Sequence, residues 1–295
     1  MNINLKRNRK GSSKTVLKNT FFNSISGISV QALSIITGVY IARKFGASGY
    51  GDLAFANVFV SYFMLATDFG ITSIAIRNMA RNKGNKDKIL FTYLITRFIL
   101  SIFTYGVLAT IIWFSSFEGK VTLLILVYAL QMFSNVFNIS WVFIAYQKME
   151  YDSITKVVDK GLYVLLILIL LLFFNNILLV PISMSLASLV AVIFGWIMLK
   201  KVIGKIKFDF DKAFLKEMLL FSWPIGLSNG ASQVNGNLDT LFMTAYHGNV
   251  TTGLYSSAYR LVTALILMCT FFTSALYPLI CERAIGPKES LENIL

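Results

Sequence analysis

Long apolar runs constrain the fold of this chain more than any other feature of its sequence. Several runs contain about 20 residues or more, the helical length needed to cross a hydrocarbon core of roughly 30 Å. Of the 295 residues, 56% are hydrophobic and 14% are charged, whereas a soluble domain carries about 25% charged residues. The sequence therefore predicts an all-α polytopic membrane protein.

Eight predicted spans account for most of the chain. They cover residues 19–42, 52–76, 89–114, 121–146, 161–174, 177–199, 218–246 and 251–281. The segments between them are too short to form a soluble domain. The first apolar run lacks a cleavage signature, so it is predicted to be a retained helix and not a signal peptide.

The basic residues predict the orientation of the spans. Of the 27 Lys and Arg residues, 22 lie in the N-terminal tail, in alternate loops or in the C-terminal tail, and the opposite loops hold three. Because cytoplasmic loops carry the excess of positive charge, both termini are predicted to be cytoplasmic. The net charge of +13 thus flanks membrane spans and does not indicate nucleic-acid binding.

Two turns share the pattern G-x4-G-x4-A at an offset of 202 residues. The first begins at Gly46 and the second at Gly248. The same offset pairs Ser26 with Ser228 and Gln31 with Gln233. This offset corresponds to six spans, which is an even number, so the two repeats are predicted to have the same orientation in the membrane. Residues 1–212 are then a six-helix lobe, and residues 213–295 are the first two helices of a second lobe. We expect the chain to be a truncation or to be completed by another chain.

Three motifs resemble those of a known family. They are Ala42-Arg-Lys-Phe-Gly-Ala-Ser-Gly-Tyr-Gly-Asp-Leu; Asp68-Phe-Gly-Ile with Ile76-Arg77; and Trp223-Pro-Ile-Gly with Asp239 and Gly253-Leu-Tyr-Ser-Ser-Ala-Tyr. The combination resembles bacterial oligosaccharide flippases of the polysaccharide-transport branch of the MATE-like (MOP) superfamily. Members usually have 12 or 14 helices, so this chain is shorter than the family pattern.

The resemblance implies a function. It implies a flippase of the bacterial inner membrane that turns polyprenyl-pyrophosphate-linked oligosaccharides, such as O-antigen units, from the inner to the outer leaflet. The implied mechanism is alternating access, with H⁺ or Na⁺ as the driving ion. Membrane lipids and a polysaccharide polymerase or glycosyltransferases are the implied partners. The alternatives are a cation-coupled drug antiporter of the same superfamily and a truncated membrane scaffold that does not transport.

Four ionisable side chains lie inside predicted spans, where such groups normally face a protein interior or a watered cavity. Asp68 and Arg97 lie at similar depths from the predicted inner side, and Asp239 and Arg260 at similar depths from the outer side. Each couple is therefore predicted to be able to form an ion pair. The first is interpreted as a helix-linking or coupling pair.

The seventh span is rich in amides and is predicted to line a cavity. It presents Asn229, Gln233, Asn235 and Asn237. Asn229, Gln233 and Gly236 follow i, i+4, i+7 spacing, which places them on one helix face. Asn23 and Gln31 form a matching face in the first span. We predict that these faces bind sugar hydroxyls.

Three residues of the seventh and eighth spans are given more specific roles. Arg260 is predicted to grip a phosphate. Asp239 is predicted to bind a coupling cation or to counter Arg260. Pro224 is predicted to act as a hinge.

Enzymatic chemistry is not indicated by the residues. The sequence has no P-loop, no G-x-G-x-x-G motif and no catalytic Ser/His/Asp set. Its one histidine, His247, lacks the partners that a metal site requires. We therefore predict no enzymatic activity, no metal and no cofactor.

Overall fold

The computed structural model describes residues 2–115, 117–204 and 206–284 of the chain, and in this part it is helical without strands. The helices are α1 Asn2–Asp68, α2 Ile71–Arg81, α3 Lys86–Phe114, α4 Gly119–Ala129, α5 Gln131–Val136, α6 Ser140–Ala145, α7 Met149–Phe173, α8 Leu179–Ile203 and α9 Lys212–Ala284. A 3₁₀ turn at Lys83–Asn85 precedes α3.

The two longest helices each contain a sharp glycine kink. In α1 it lies at Gly46, with φ 68° and ψ −176°, and in α9 at Gly248, with φ 75° and ψ 176°. Residues with a side chain rarely adopt such positive φ angles. Each kink divides its helix into two limbs, which we name α1a (2–45), α1b (47–68), α9a (212–247) and α9b (249–284). The kinks fall at the 202-residue offset, so the two hairpins have the same local geometry.

The hairpins pack against each other through a reciprocal glycine contact. A Cβ atom at Gly51 would lie 1.8 Å from the carbonyl oxygen of Asn249, and a Cβ atom at Gly253 would lie 1.9 Å from that of Ala47. Both contacts relate residues at the same offset, so α1b and α9b meet across a local twofold relation. This geometry supports the internal repeat, while the division into two lobes stays a prediction.

The predicted outer turns lie together at one end of the molecule, and the predicted inner loops lie at the other. At the outer end, the contacts join Lys44 to the carbonyl of Leu171, and Lys120 and Asn249 to the carboxylate of Asp52. At the inner end, they join Lys18 to Glu150, Arg77 to Glu217, and Lys86 to the carbonyl of Ile203. Successive predicted spans therefore run in alternate directions between the two ends of the molecule. Which end faces the cytoplasm stays a prediction.

Several predicted boundaries differ from the observed helices. The second span breaks at Phe69 and Gly70, where φ is positive, and the chain continues as α2. The fourth span is three short helices, α4, α5 and α6. The loop before the fifth span is helical from Met149, because Glu150 and Asp152 favour a helix N-terminus and Lys156 pairs with Asp152 one turn later.

Apolar side chains fill two cores and also cover the outer surface. One core is centred on Leu124, Ile125 and Ile167, and the other on Leu90 and Phe143. Many large apolar side chains remain exposed on the outer faces of α3 and α8. They include Ile99, Phe103, Trp113, Ile193 and Ile197. Exposed apolar surface of this extent is typical of contact with lipid.

Four stretches of the described residues are long and apolar enough to cross a membrane. They are Lys18–Asp68, Lys83–Phe114, Gly119–Ala145 and Leu179–Ile203. The first contains two predicted spans, since it covers both limbs of α1. The helices that hold the fifth, seventh and eighth predicted spans do not meet this criterion, and the count of eight stays a prediction.

Replacing Gly51 with Ala is expected to destabilise the protein by about 1–3 kcal/mol, as over-packing does elsewhere. The added methyl group would push α9b away from α1b. Gly106→Ala in α3 is the control, because no atom lies within 4 Å of the position that its methyl group would take, and alanine favours a helix. Thermal unfolding in detergent should show a lower Tm for Gly51→Ala alone; equal Tm values for both variants would contradict the close contact.

Candidate functional site

Two cavities lie along the seam where α1b faces α9. The outer cavity, of about 480 Å³, is bounded by residues of α1, α4, α7, α8 and both limbs of α9. The inner cavity, of about 460 Å³, is bounded by residues of α1b, α2, α3, the short helices α5 and α6, α7 and by Gln233 of α9a. Five of the predicted site residues line one of these two cavities. They are Arg260 and Asn237 in the outer cavity, and Asp68, Arg97 and Gln233 in the inner cavity.

The outer cavity combines aliphatic walls with many polar groups, and one of its described lining residues is charged. That residue is Arg260, and none of the described residues that line this cavity is a carboxylate. The other polar groups are hydroxyls and amides, from Tyr50, Tyr128, Tyr163, Tyr259, Asn57, Asn237, Thr240, Ser256 and Thr263. Ser256 has a buried hydroxyl with no hydrogen-bond partner. The cavity is therefore suited to a ligand that is anionic and rich in hydrogen-bonding groups.

The guanidinium of Arg260 is held between α9b and α1. Its Nη1 donates a hydrogen bond to the carbonyl oxygen of Ser34, at 3.2 Å. Its central carbon lies 5.7 Å from the centre of the Tyr50 ring, within cation–π range. A guanidinium has five N–H donors, so these contacts leave donors for a ligand in the cavity.

Asp239 does not pair with Arg260, so the prediction of an ion pair between these two residues was wrong. The Asp239 carboxylate accepts a hydrogen bond from the hydroxyl of Tyr255 and another, at 2.8 Å, from the backbone N–H of Thr240. Tyr255 precedes Arg260 by five residues, which on an α-helix is a rotation of about 140°. Asp239 therefore bonds to one face of α9b while the Arg260 side chain leaves another, although Asp239 and Arg260 lie at similar predicted depths.

Asp68 and Arg97 form an ion pair beside the inner cavity. The Arg97 Nη1 lies 3.7 Å from the Asp68 carboxylate, and the Arg97 side chain is 8% exposed. Arg97 also donates to the hydroxyls of Tyr93 and Thr67, and Thr72 donates to Asp68. A second pair, Lys156 with Asp152 at 2.7 Å, lines the same cavity. Its charges are thus balanced within the protein.

The amides predicted to bind sugar separate into three groups. Asn237 lines the outer cavity, and Gln233 lines the inner one, where its Nε2 donates to the hydroxyl of Ser61 at 2.6 Å. Asn229 and Asn23 are exposed and line neither cavity. Gln31 is half-buried, also outside both cavities. Regular spacing placed these amides on common faces but did not determine which part of a face meets the cavity.

Pro224 is not where α9 breaks. The non-helical backbone in the described part of α9 lies at Gly248, 24 residues later. Near Pro224 the helix packs closely against the break between α1b and α2, because a Cβ atom at Gly70 would lie 2.5 Å from the carbonyl oxygen of Ser222. A hinge at Pro224 stays a prediction.

A buried carboxylate that links the two hairpins was missed in the sequence. Asp52 is 4% exposed, and its oxygens accept hydrogen bonds from Lys120 at 2.6 Å and from Asn249 at 2.5 Å. Its position directly after Gly51 of the first turn was an available signal. The tyrosines of the outer cavity were also missed, because single tyrosines in apolar spans give no pattern to detect.

Replacing Asp68 with Asn should destabilise the protein by about 1–3 kcal/mol, the usual penalty for leaving a buried polar or charged group without its partner. The change keeps an acceptor for Thr72 but leaves the buried Arg97 without its counter-charge. The double variant Asp68→Asn/Arg97→Gln should recover part of the loss, because no unpaired charge remains.

Thermal unfolding in detergent measures these differences, with the exposed Glu118→Gln as control. A Tm for Asp68→Asn equal to that of the control would show that the ion pair contributes nothing to stability.

The chain is similar in sequence to known proteins over most of its length. The sequence profile of the family described as "Polysaccharide biosynthesis protein" matches residues 16–283. An Escherichia coli (strain K12) protein, named for a suspected role as an O-antigen transporter, is 19% identical over 279 residues. The match covers 91% of this chain and 65% of that protein. The chain thus spans about two thirds of the length of this relative.

Solved structures show the same fold. A MOP superfamily transporter from Pyrococcus furiosus Vc1 (DSM3638) superposes with a TM-score of 0.60 at 20% identity, covering 89% of this chain and 65% of that one. The MATE multidrug transporter DinF-BH superposes with a TM-score of 0.64 at 14% identity, covering 90% and 64%. At these identities the likeness concerns the fold. The chain is a multi-pass membrane protein with a MATE-like fold, and it belongs to the polysaccharide biosynthesis protein family.

Proposed function

We propose that this protein is a flippase that moves a polyprenyl-pyrophosphate-linked oligosaccharide from the inner to the outer leaflet of the bacterial cytoplasmic membrane. The observation that carries this proposal is the outer cavity, in which a single guanidinium is surrounded by hydroxyls and amides. The family and the E. coli relative named for O-antigen transport support it. In this proposal the N-terminus is cytoplasmic, as the basic loops predict.

The chemistry of the cavity matches the two polar parts of such a substrate. A guanidinium binds phosphate oxygens through paired N–H donors, and such charge-assisted bonds are strong. Arg260 supplies this group. Tyrosine rings and hydroxyls can pack against sugar rings and bond to sugar hydroxyls, and Tyr50, Tyr163 and Tyr259 face the cavity together with Asn237.

Two sets of contacts across the seam are candidates for the gates of alternating access. At the predicted outer end, Asn249 of α9b bonds to Asp52, beside the Gly51–Gly253 contact. At the predicted inner end, Arg77 and Asn78 of α2 both donate to Glu217 of α9a, each at 3.3 Å. Transport would require the two sets to open in turn, so that the cavities communicate with one leaflet at a time.

A cation-coupled drug antiporter is the rival from the same superfamily. Such a protein needs negative groups that face its cargo. In the part of the chain that the structure describes, the outer cavity has no carboxylate in its lining, and Asp239 accepts its hydrogen bonds from Tyr255 and Thr240. The carboxylates beside the inner cavity are paired with Arg97 and Lys156. The charge distribution favours the anionic substrate. The third alternative, a membrane scaffold, differs from both because it would transport neither substrate.

Complementation distinguishes the three functions. The chain is expressed in a flippase-null strain, and surface polysaccharide is measured together with the amount of protein in the membrane. Restored polysaccharide supports flipping, and polysaccharide polymerases or glycosyltransferases are then the proposed partners. Absence of rescue at normal membrane levels contradicts flipping by this chain; altered resistance to cationic dyes would then indicate the antiporter, and unchanged resistance the scaffold.

Arg260→Ala should lower surface polysaccharide by about 10–100-fold in a rescuing strain. Loss of hydrogen bonds to a charged group costs about 1.5–3 kcal/mol, and each 1.4 kcal/mol is about tenfold. Arg260→Lys should retain an intermediate level, because lysine keeps the charge but not the paired donors. Arg81→Ala, an exposed basic residue of α2, is the control. If Arg260→Ala exports as much as Arg81→Ala, the guanidinium does not bind the substrate.

A further inference from the structure

A separate apolar groove lies on the side of the molecule between α1a and α9b. It has a volume of about 530 Å³. Its walls are mostly aliphatic, formed by Ile35, Val39, Ala42, Leu254, Ala258 and Leu261. Leu254 is 62% exposed and Leu261 is 57% exposed. In the part of the chain that the structure describes, these side chains leave the groove open on the outer surface of the two helix limbs.

The groove and the outer cavity meet at Arg260. Arg260 and Tyr50 line both spaces, whereas the other residues of the two linings differ. The guanidinium thus lies at a junction with a polar cavity on one side and an apolar groove on the other. A second cation, Arg43, lies in the groove lining toward the predicted outer end. The positive charge at this junction is complementary to an anionic group.

Gly38 determines where the guanidinium can lie. A Cβ atom at Gly38 would be 1.7 Å from Nη1 and 2.8 Å from Cζ of Arg260. Since Gly38 has ordinary helical geometry within α1, its backbone conformation does not require glycine. The close approach of the guanidinium does require it. Any side chain at this position would displace Arg260 from the carbonyl of Ser34.

We propose that the α1a–α9b groove holds the isoprenoid chain of a polyprenyl pyrophosphate, and that Gly38 is the positioning residue that places Arg260 against the pyrophosphate at the junction. This deepens the proposed function, on which it rests for the glycan in the outer cavity. The ligand class follows from the order of environments along one path: apolar groove, cation, polar cavity. An amphiphile whose anionic group separates an apolar chain from a hydroxylated head has the same order.

The groove is tested by photo-crosslinking with the full chain in lipid nanodiscs. Ala258→p-benzoylphenylalanine places the crosslinker in the groove, and Ile193→p-benzoylphenylalanine, on an exposed face of α8, is the control. The probe is radiolabelled undecaprenyl pyrophosphate. Labelling at position 258 should exceed that at position 193 by about tenfold, equivalent to about 1.4 kcal/mol. Unlabelled undecaprenyl pyrophosphate should compete, and phosphatidylglycerol at the same mole fraction should not.

Three results would overturn the groove assignment. They are equal labelling at the two positions, competition by phosphatidylglycerol as effective as that by undecaprenyl pyrophosphate, and crosslinking of position 258 mainly to another protein chain. The second would show a general site for anionic lipids, and the third a protein interface. Surface polysaccharide restored in spite of one of these results would leave the proposed function standing. Specific labelling without restored polysaccharide would instead contradict flipping and retain the groove.

The role of Gly38 is tested in the same assay. Gly38→Ala should lower the labelling at position 258 by about tenfold, again about 1.4 kcal/mol, because the displaced guanidinium no longer meets the pyrophosphate. Gly106→Ala is the matched control, since its methyl position is open. Undecaprenol, which lacks the anion, should label both variants equally. Unchanged labelling of Gly38→Ala by undecaprenyl pyrophosphate would overturn the positioning role, as would an equal loss with undecaprenol.

Discussion

The close backbone contact between Gly51 and Gly253 is the interaction on which the seam depends. Lipid is as apolar as a leucine side chain, so helices in a membrane associate through packing and polar contacts, and small residues permit the closest approach. Here the approach is close enough that neither position accommodates a Cβ atom. It brings Asn249 to the carboxylate of Asp52. The predicted outer end of the seam is closed for this reason.

Charge is distributed differently in the two cavities of the seam. Ionised groups beside the inner cavity are neutralised by partners within the protein, as Asp68 is by Arg97. In the outer cavity Arg260 is the one cation among the described lining residues. It contacts a backbone carbonyl and an aromatic ring, and neither carries a full negative charge. An uncompensated charge in a membrane protein is costly unless a ligand or water meets it. The inner cavity is thereby a candidate for structural or coupling roles, and the outer cavity for binding an anion.

Hydropathy, basic residues and the 202-residue offset were sufficient to predict the helical class, the alternation of the helix ends and the equivalence of the two glycine turns. These properties depend on position along the helix axis, which residue number determines at about 1.5 Å per residue. The pairing of Asp239 with Tyr255 instead of Arg260 depends on rotation about the axis. Rotation is set by neighbouring helices, and helices that are apolar on all sides carry little periodic signal for it. The exposed position of Asn229 has the same cause.

The glycine contact and the anion site belong to one helix limb, and this links opening to binding. Arg260 follows Gly253 by seven residues on α9b, or about 10 Å along the axis. Any motion that separates α9b from α1b at Gly51 must also shift the guanidinium away from Gly38 and Ser34, because a helix limb moves as a rigid element. The same displacement widens the α1a–α9b groove, whose wall α9b forms. Opening of the predicted outer end would therefore weaken the grip on the proposed pyrophosphate while freeing the path of its chain, as release requires.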